Sequence, residues 1–250
     1  HDALPILPNI CAIDFGVSNF AAVVCNDGSS MLYKGGAVLS ECQWFHKKRA
    51  RAVSIITKGH EHMHASSKYL SALSRHHADF VKDQCHKISR SIINYCIEHH
   101  AGTLVLGENK GWKQDCDMGS QNNQNFVSMP IGLLKQMIIY KASDAGIKTI
   151  MQEESYTSLA DITAMDYIPI YGADDENAVF SGMRITRSLY RCFNGMIINA
   201  DCNGAANIMR KAIPDAWNGI TDFSFLASPE VSGFHELNPL GIPVKGIVAA

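Results

Sequence analysis

Four acids interrupt apolar stretches of this 250-residue sequence, each at a point where a strand or helix would begin or end. Asp14 lies inside "ICAIDFG", Glu108 follows "TLVLG", Glu154 closes "IKTIMQEE", and Asp201 separates "GMIINA" from the small-residue run "CNGAANIM". Desolvating a lone carboxylate costs on the order of several kcal/mol, so acids in apolar surroundings need a partner. A hard divalent cation can hold several carboxylates together, and Mg2+ favours such oxygen donors while keeping some of its waters. Two such ions about 4 Å apart activate a water and stabilise the leaving oxygen of a phosphodiester. Each acid also has a plainer reading: Asp14 as a turn-former before Gly16, Asp201 as a helix cap, Glu108 and Glu154 as solvated strand ends. The set points to phosphodiester chemistry more specifically than any member.

The elements that must gather these acids follow from the patterning. Ile10 to Phe15, "FAAVVC" and "MLYKGG" predict an antiparallel meander, punctuated by Gly16 and the turn "NDGSS". From Ser40 to about His100 the spacing is helical, with Leu70, Leu73, Phe80, Val81, Ile88, Ile92, Ile93, Cys96 and Ile97 on one stripe and Gly102 as the stop. "TLVL" predicts a strand core, with Gly107 and Glu108 in the loop after it. "IGLLKQMIIYKASDAG" predicts an amphipathic helix, and "IKTIMQEESYTS" a strand parallel to "TLVL". "GMRITRSLYRCFNGMIINAD" predicts a hairpin turning at "CFNG", followed by a helix with Asp201 at its entry; after Pro214 the tail is poorly patterned. This order predicts an α/β, RNase H-like fold: a mixed five-stranded sheet flanked by helices, with an inserted long helix pair. A first-strand acid, an acid near the end of the fourth strand and an acid on the last helix converge in such a fold.

Bulk properties narrow the class. The chain is 46% hydrophobic and 18% charged, with no apolar run long enough for a membrane helix and no secretory signal, so a cytoplasmic protein is expected. Its eight cysteines are scattered without a CxxC pair, which predicts reduced, buried thiols rather than disulfides or a zinc ribbon. His60, His62 and His64 read as surface residues. A net charge of −2 is not that of a dedicated nucleic-acid binder, yet two basic clusters could meet phosphates: Lys47, Lys48 and Arg49, and Arg184, Arg187 and Arg191. The alternatives are a solvated face for the first and pairing with the acidic "DDE" loop for the second.

The blocks "AIDFGVSNFAAV", "KDQCHKISRSII", "VLGENKGWKQ", "NNQNFVSMP", "IIYKASDAGI", "EESYTS", "SGMRITRSLYR" and "INADCNGAANIMRK", in that order up to about Ile213, resemble one known family. It is the nuclease half of the TnpB (OrfB) family, transposon-encoded RNA-guided DNA endonucleases related to miniature type V CRISPR effectors. The resemblance implies a RuvC domain with an Asp–Glu–Asp triad and two Mg2+ or Mn2+ ions, leaving a 5′-phosphate end. It implies guide RNA and target DNA as partners, and recognition modules N-terminal to His1. The expected organisation is a RuvC core over residues 1–158 with a helical insertion at about 40–101. An inserted nucleic-acid-binding hairpin region over 159–196, the last RuvC helix over 197–213 and a tail over 214–250 would follow.

Residue by residue, Asp14 matches the Asp of the first RuvC motif, and Asp201 that of "D-x-N-(A/G)-A-x-N-I", with Asn203 and Asn207 orienting the site or capping the helix. The family's glutamate directly follows the fourth strand. That register falls here on Gly107, one residue before Glu108, and a one-residue shift on a strand swaps faces. Chains with "EESYTS" resemble a subgroup whose glutamate has moved to the neighbouring strand end. Glu154 is therefore the expected third ligand, Glu108 the alternative, and Glu153 is expected to face away. Many relatives carry two CxxC pairs before the last Asp; this chain has only Cys192 there, so zinc is not implied. The rival reading is a nuclease-dead, RNA-guided DNA-binding protein, against which the intact acids speak. A guide-free junction resolvase fits the fold but not the "EESYTS" and "SGMRITRSLYR" blocks.

Overall fold

Alternation of side chains along the first strands sets two layers. A computed structural model of the chain describes residues 8–58, 65–108, 129–172 and 178–239. In it β1 (Asn9–Asp14) and β2 (Asn19–Cys25) send Cys11, Ile13, Ala21, Val23 and Cys25 to one side, and Ala12, Ala22 and Val24 to the other. Every position of β2 is buried, as a strand covered on both faces requires. β3 (Ser29–Lys34) completes the antiparallel meander. The helices α1 (Gly36–Ile56) and α2 (Lys68–Glu98) then lead to β4 (Ala101–Glu108), parallel to β1. The Ser67 hydroxyl caps α2, accepting from the Leu70 amide at 3.1 Å. α3 (Ile131–Asp144) crosses over to β5 (Lys148–Glu153), parallel to β4.

A second, three-stranded sheet follows, made of β6 (Met183–Arg184), β7 (Leu189–Arg191) and β8 (Ile197–Asn199). α4 (Ala200–Ala212) continues directly from β8. The tail adds β9 (Glu230–Ser232) and the short α5 (Phe234–Leu237). The main sheet has the order β5-β4-β1-β2-β3-β9. One face packs on Ile88, Ile92 and Ile93 of α2 and on Leu134 and Ile138 of α3. The other packs on Cys202, Ala205, Ala206 and Ile208 of α4, with Tyr190, Ile198 and Trp217 beyond.

The RNase H-like arrangement and the helix pair are as expected, and four details differ. The sheet has six strands rather than five, because β9 pairs in parallel with β3. Gly102 does not stop the helix: α2 ends at Glu98, His100 turns the chain at φ 53°, and Gly102 is already in β4. β4 runs on through Gly107 and Glu108, which pair with Gln152 and Glu153 of β5, so neither lies in a loop. The hairpin β7–β8 gains a third strand in β6. Seven cysteines, Cys11, Cys25, Cys42, Cys85, Cys96, Cys192 and Cys202, are free and buried. Cys116, His60, His62, His64 and the "DDE" acids lie outside the described residues. No helix among those described is long and apolar enough to cross a membrane.

Candidate active site

Parity places the first acid. Asp14 shares the face of Ala12, which packs toward α4, and it stands at the carboxyl end of β1. There the chain needs room, and α4 supplies it through Gly204: a Cβ at that position would lie 2.7 Å from Asp14 Oδ2. The small residues Ala205 and Ala206, fully buried beside it, let α4 approach the sheet closely.

Asp201 lies in the first turn of α4 but does not cap it. The cap is Asn199, whose side-chain oxygen accepts from the amides of Asp201 at 3.0 Å and Cys202 at 3.1 Å. The Asp201 carboxylate is thereby free to point outward. Its Oδ2 accepts from Asn19 Nδ2 at 2.7 Å, and its Oδ1 pairs with Arg184 at 2.9 Å. Asn19 is in turn fixed by Lys34, which donates to its Oδ1 at 2.9 Å.

Parity also separates the glutamates. In β4 the face of Asp14 and Val105 is occupied by Gly107, and Glu108, one residue on, belongs to the other face. The empty position at Gly107 is filled from the next strand: Glu154, just past β5, puts Oε2 where a Gly107 Cβ would come within 2.5 Å of it. Glu153 turns instead to Lys211, at 2.7 Å, and to the Ser155 amide, at 2.5 Å. The structure thus gathers Asp14, Glu154 and Asp201 at the carboxyl ends of β1 and β5 and the start of α4. Crevices at the carboxyl ends of parallel strands are where open α/β sheets bind ligands.

The turn after Glu154 is tied down from α4. Thr157 donates its hydroxyl to the Glu154 carbonyl at 2.8 Å, and Asn207 donates to the Thr157 carbonyl at 3.0 Å. Asn203 and Asn207 both donate to the Ala160 carbonyl, at 2.8 and 2.7 Å, and Asn203 accepts from the Ile162 amide at 3.2 Å. Both asparagines are fully buried, so they neither cap the helix nor face the acids; they lock the segment carrying Glu154.

Crowding marks the electrostatics. Asp14 is held well above the usual carboxylate range by desolvation, then by the charges of Glu154 and Asp201, against the pull of Arg184 and Lys135. Burial pushes Glu154 up to about 7, opposed by Lys135 and reinforced by Glu153 and Glu108. Lys135, on α3, donates to the Gly107 carbonyl. Among the described residues no three acid, histidine or cysteine side chains stand together closely enough to hold a metal ion as they are. The donor set nevertheless fits hard divalent ions: carboxylates from three elements, mutually repelling, two of them packed against glycines that leave them space.

The basic candidates are divided. Arg184 reaches the acids and also donates from Nε to the Arg187 carbonyl at 3.1 Å. Arg187 and Arg191 are exposed on or beside the small sheet. Lys47, Lys48 and Arg49 are exposed on α1. Asn19, Asn199, Lys34, Lys135 and Gly204 escaped the sequence reading. Only Asn199 had a local signal, an Asn two residues before an acid at a helix start.

Comparison with known proteins finds relatives along most of the chain. A model of the OrfB family, described as probable transposase, matches residues 8–113, and a Cas12f1-like TNB domain model matches residues 132–208. The CRISPR-associated endodeoxyribonuclease Cas12f1 of Sulfoacidibacillus thermotolerans is 32% identical over 139 residues, covering 55% of this chain and 28% of that protein. The TnpB-like protein ORF457 of Acidianus two-tailed virus is 26% identical over 212 residues, covering 82% and 42%. The chain therefore spans less than half the length of either relative. Two solved assemblies share the fold. A Cas12f1–sgRNA–target DNA complex superposes with a TM-score of 0.56 at 15% identity over 84% of this chain and 52% of that one. A CRISPR-Cas12f ternary complex does so with a TM-score of 0.52 at 18% identity, over 80% and 38%. The two family models follow each other along the chain in the order of the sheet and the last helix, so the chain is similar to OrfB-type proteins over its first part and to Cas12f1-like proteins over its second, and it shares the RNase H-like fold of the two solved assemblies.

Proposed function

We propose that this chain is the RuvC nuclease portion of an RNA-guided DNA endonuclease that hydrolyses phosphodiester bonds with divalent metal, Mg2+ or Mn2+. The observation that carries the reading is the convergence of Asp14, Glu154 and Asp201 on one crevice, with Gly107 and Gly204 leaving space for two of the carboxylates. These three residues would hold two ions, which when bound supply an activated water and charge neutralisation at the leaving oxygen. Asp201 would keep its aim through Asn19 and the Asn199 cap, and Glu154 through Thr157. Arg184, beside Asp201, would meet a phosphate at the crevice, and the exposed Arg187 and Arg191 would extend the positive surface. Lys47, Lys48 and Arg49 would contact the nucleic-acid backbone away from the crevice. Guide RNA and target DNA are the proposed partners, with sequence choice by base pairing.

The test is cleavage of labelled single-stranded DNA in Mn2+ by Asp14→Ala, Glu154→Ala, Glu108→Ala and Asp201→Ala, with Mn2+ anomalous scattering from crystals. Expected are losses of at least about 100-fold for the first, second and fourth, and retained cleavage for Glu108→Ala. Retained cleavage in Glu154→Ala would move the third ligand to Glu108. An absence of bound Mn2+ would sink the metal reading altogether.

A further inference from the structure

One half-buried cation, Lys135, reaches the acids from the opposite layer. α3 packs on the face of the sheet away from α4, through Leu134 and Ile138. Lys135 nevertheless passes the end of the sheet to donate to the Gly107 carbonyl, with its ammonium 4.8 Å from the centroid of the Phe15 ring. Both anchors adjoin the acids. Phe15 follows Asp14 in the chain, and Gly107 is the residue against which the Glu154 carboxylate packs. Glu154 is the strongest electrostatic partner of the ammonium, ahead of Glu108 and Asp14.

Two cations thus bracket the cluster, and their attachments differ. Arg184 is bonded directly to an oxygen of Asp201, so it must share or leave that oxygen once the carboxylate becomes a ligand. Lys135 is attached to a backbone carbonyl and an aromatic face, neither of which is a proposed ligand, so it can remain throughout. Carboxylates crowded together repel in a site of low dielectric, and a fixed cation offsets that repulsion.

We propose that Lys135 is a resident counter-ion of the acid cluster, a positioning residue that keeps Glu154 drawn in beside Asp14 when divalent ions are not bound. The inference rests on the reading of Asp14, Glu154 and Asp201 as a divalent-ion site. Its signature is an energetic coupling to Glu154 that divalent ions replace. A lysine serving only to bond the Gly107 carbonyl or pack on Phe15 would have no such coupling.

The experiment is thermal unfolding of the 250-residue chain in EDTA and in saturating Mn2+. The variants are Lys135→Met, Lys135→Arg, Glu154→Gln and the double variant Lys135→Met/Glu154→Gln. Lys135→Met should lower Tm by about 3–8 °C in EDTA, and Mn2+ should recover most of that loss. Lys135→Arg, which keeps the charge, should stay within about 2 °C of the parent. In the Glu154→Gln background the Lys135→Met change should shift Tm by less than about 2 °C. An equal loss in EDTA, in Mn2+ and in the Glu154→Gln background overturns the proposal. If Lys135→Met does not fold in EDTA, recovery of folding by added Glu154→Gln supports it, and failure to recover overturns it. Coupling to Glu154 with no effect of Mn2+ on any variant supports the counter-ion and overturns the divalent-ion reading instead.

Discussion

Glu154 carries a conflict between folding and chemistry. Burial raises its carboxyl from 4.5 to about 7, so the folded chain holds a proton that the unfolded chain has already lost across that interval. Its contribution to stability is full below about pH 4.5 and is lost as pH rises through about 7. Glu154→Gln should therefore be more stable than the parent in EDTA at pH 8, by on the order of 2–3 kcal/mol, with little difference near pH 4. Urea unfolding of both proteins at the two pH values measures this; a parent as stable as the variant at pH 8 would mean that burial does not hold the carboxyl up. At this scale the sequence was half legible. Asp14 and Asp201 declared themselves because each breaks an apolar pattern that a soluble acid would not. The glutamate was a question of one residue of register, and what favours Glu154 is that Gly107 holds the site-facing position and Glu154 fills its space. Asn19 was hidden because its partner Asp201 lies 182 residues away in sequence. Lys135 was hidden because it reaches the site from the other layer of the fold.

Among the elements, α4 does the most to connect distant parts. Asn203, Asn207 and Arg210 lie along one stripe of the helix, and each bonds the segment after Glu154. That segment is closed further by two buried carboxylates. Asp161 accepts from the amides of Thr163 at 2.8 Å and Phe193 at 2.6 Å, and Asp166 accepts from the amides of Asp161 at 2.9 Å and Ser181 at 2.8 Å. The blocks "EESYTS" and "NGAAN" are therefore two halves of one contact, joined where Asn207 meets Thr157. Asn207→Ala strips the buried Thr157 carbonyl of this bond and should cost about 2–4 kcal/mol in denaturant unfolding. It should also weaken Mn2+ binding, because the Glu154 segment loosens; a cost under about 1 kcal/mol would show the clamp to be dispensable. Helix α4 itself was readable from the small-residue run after Asp201. β9 was not, since three residues between loops carry no period, and only the open edge of β3 makes them a strand.

Over the whole molecule, charge is distributed unevenly. Between Glu41 and Asp79 the sequence holds seven lysines and arginines against the single acid Glu61, in a chain whose net charge is −2. Those cations sit largely on the helix pair α1 and α2, while the acids of the crevice lie at the ends of the sheet. Nucleic-acid affinity and phosphodiester cleavage should accordingly separate. Replacing Lys47, Lys48 and Arg49 by Gln should reduce the slope of log Kd against log salt by about 2–3 and weaken binding evenly across sequences. Cleavage at saturating DNA should change little. Fluorescence anisotropy over a salt series checks the first expectation, and an unaltered slope would mean these side chains are only solvated.

The distance in sequence between the acids has a temporal side. Asp201 is made 187 positions after Asp14, at the start of the helix that completes the crevice. At typical rates of synthesis that interval lasts roughly 10–40 s. The edge strand β9 is later still. Through all of that time the growing polypeptide holds at most Asp14 and Glu154 of the three gathered acids, without the helix that packs over them. The chain order of the fold thus delays the assembly of the acid cluster until α4 is made.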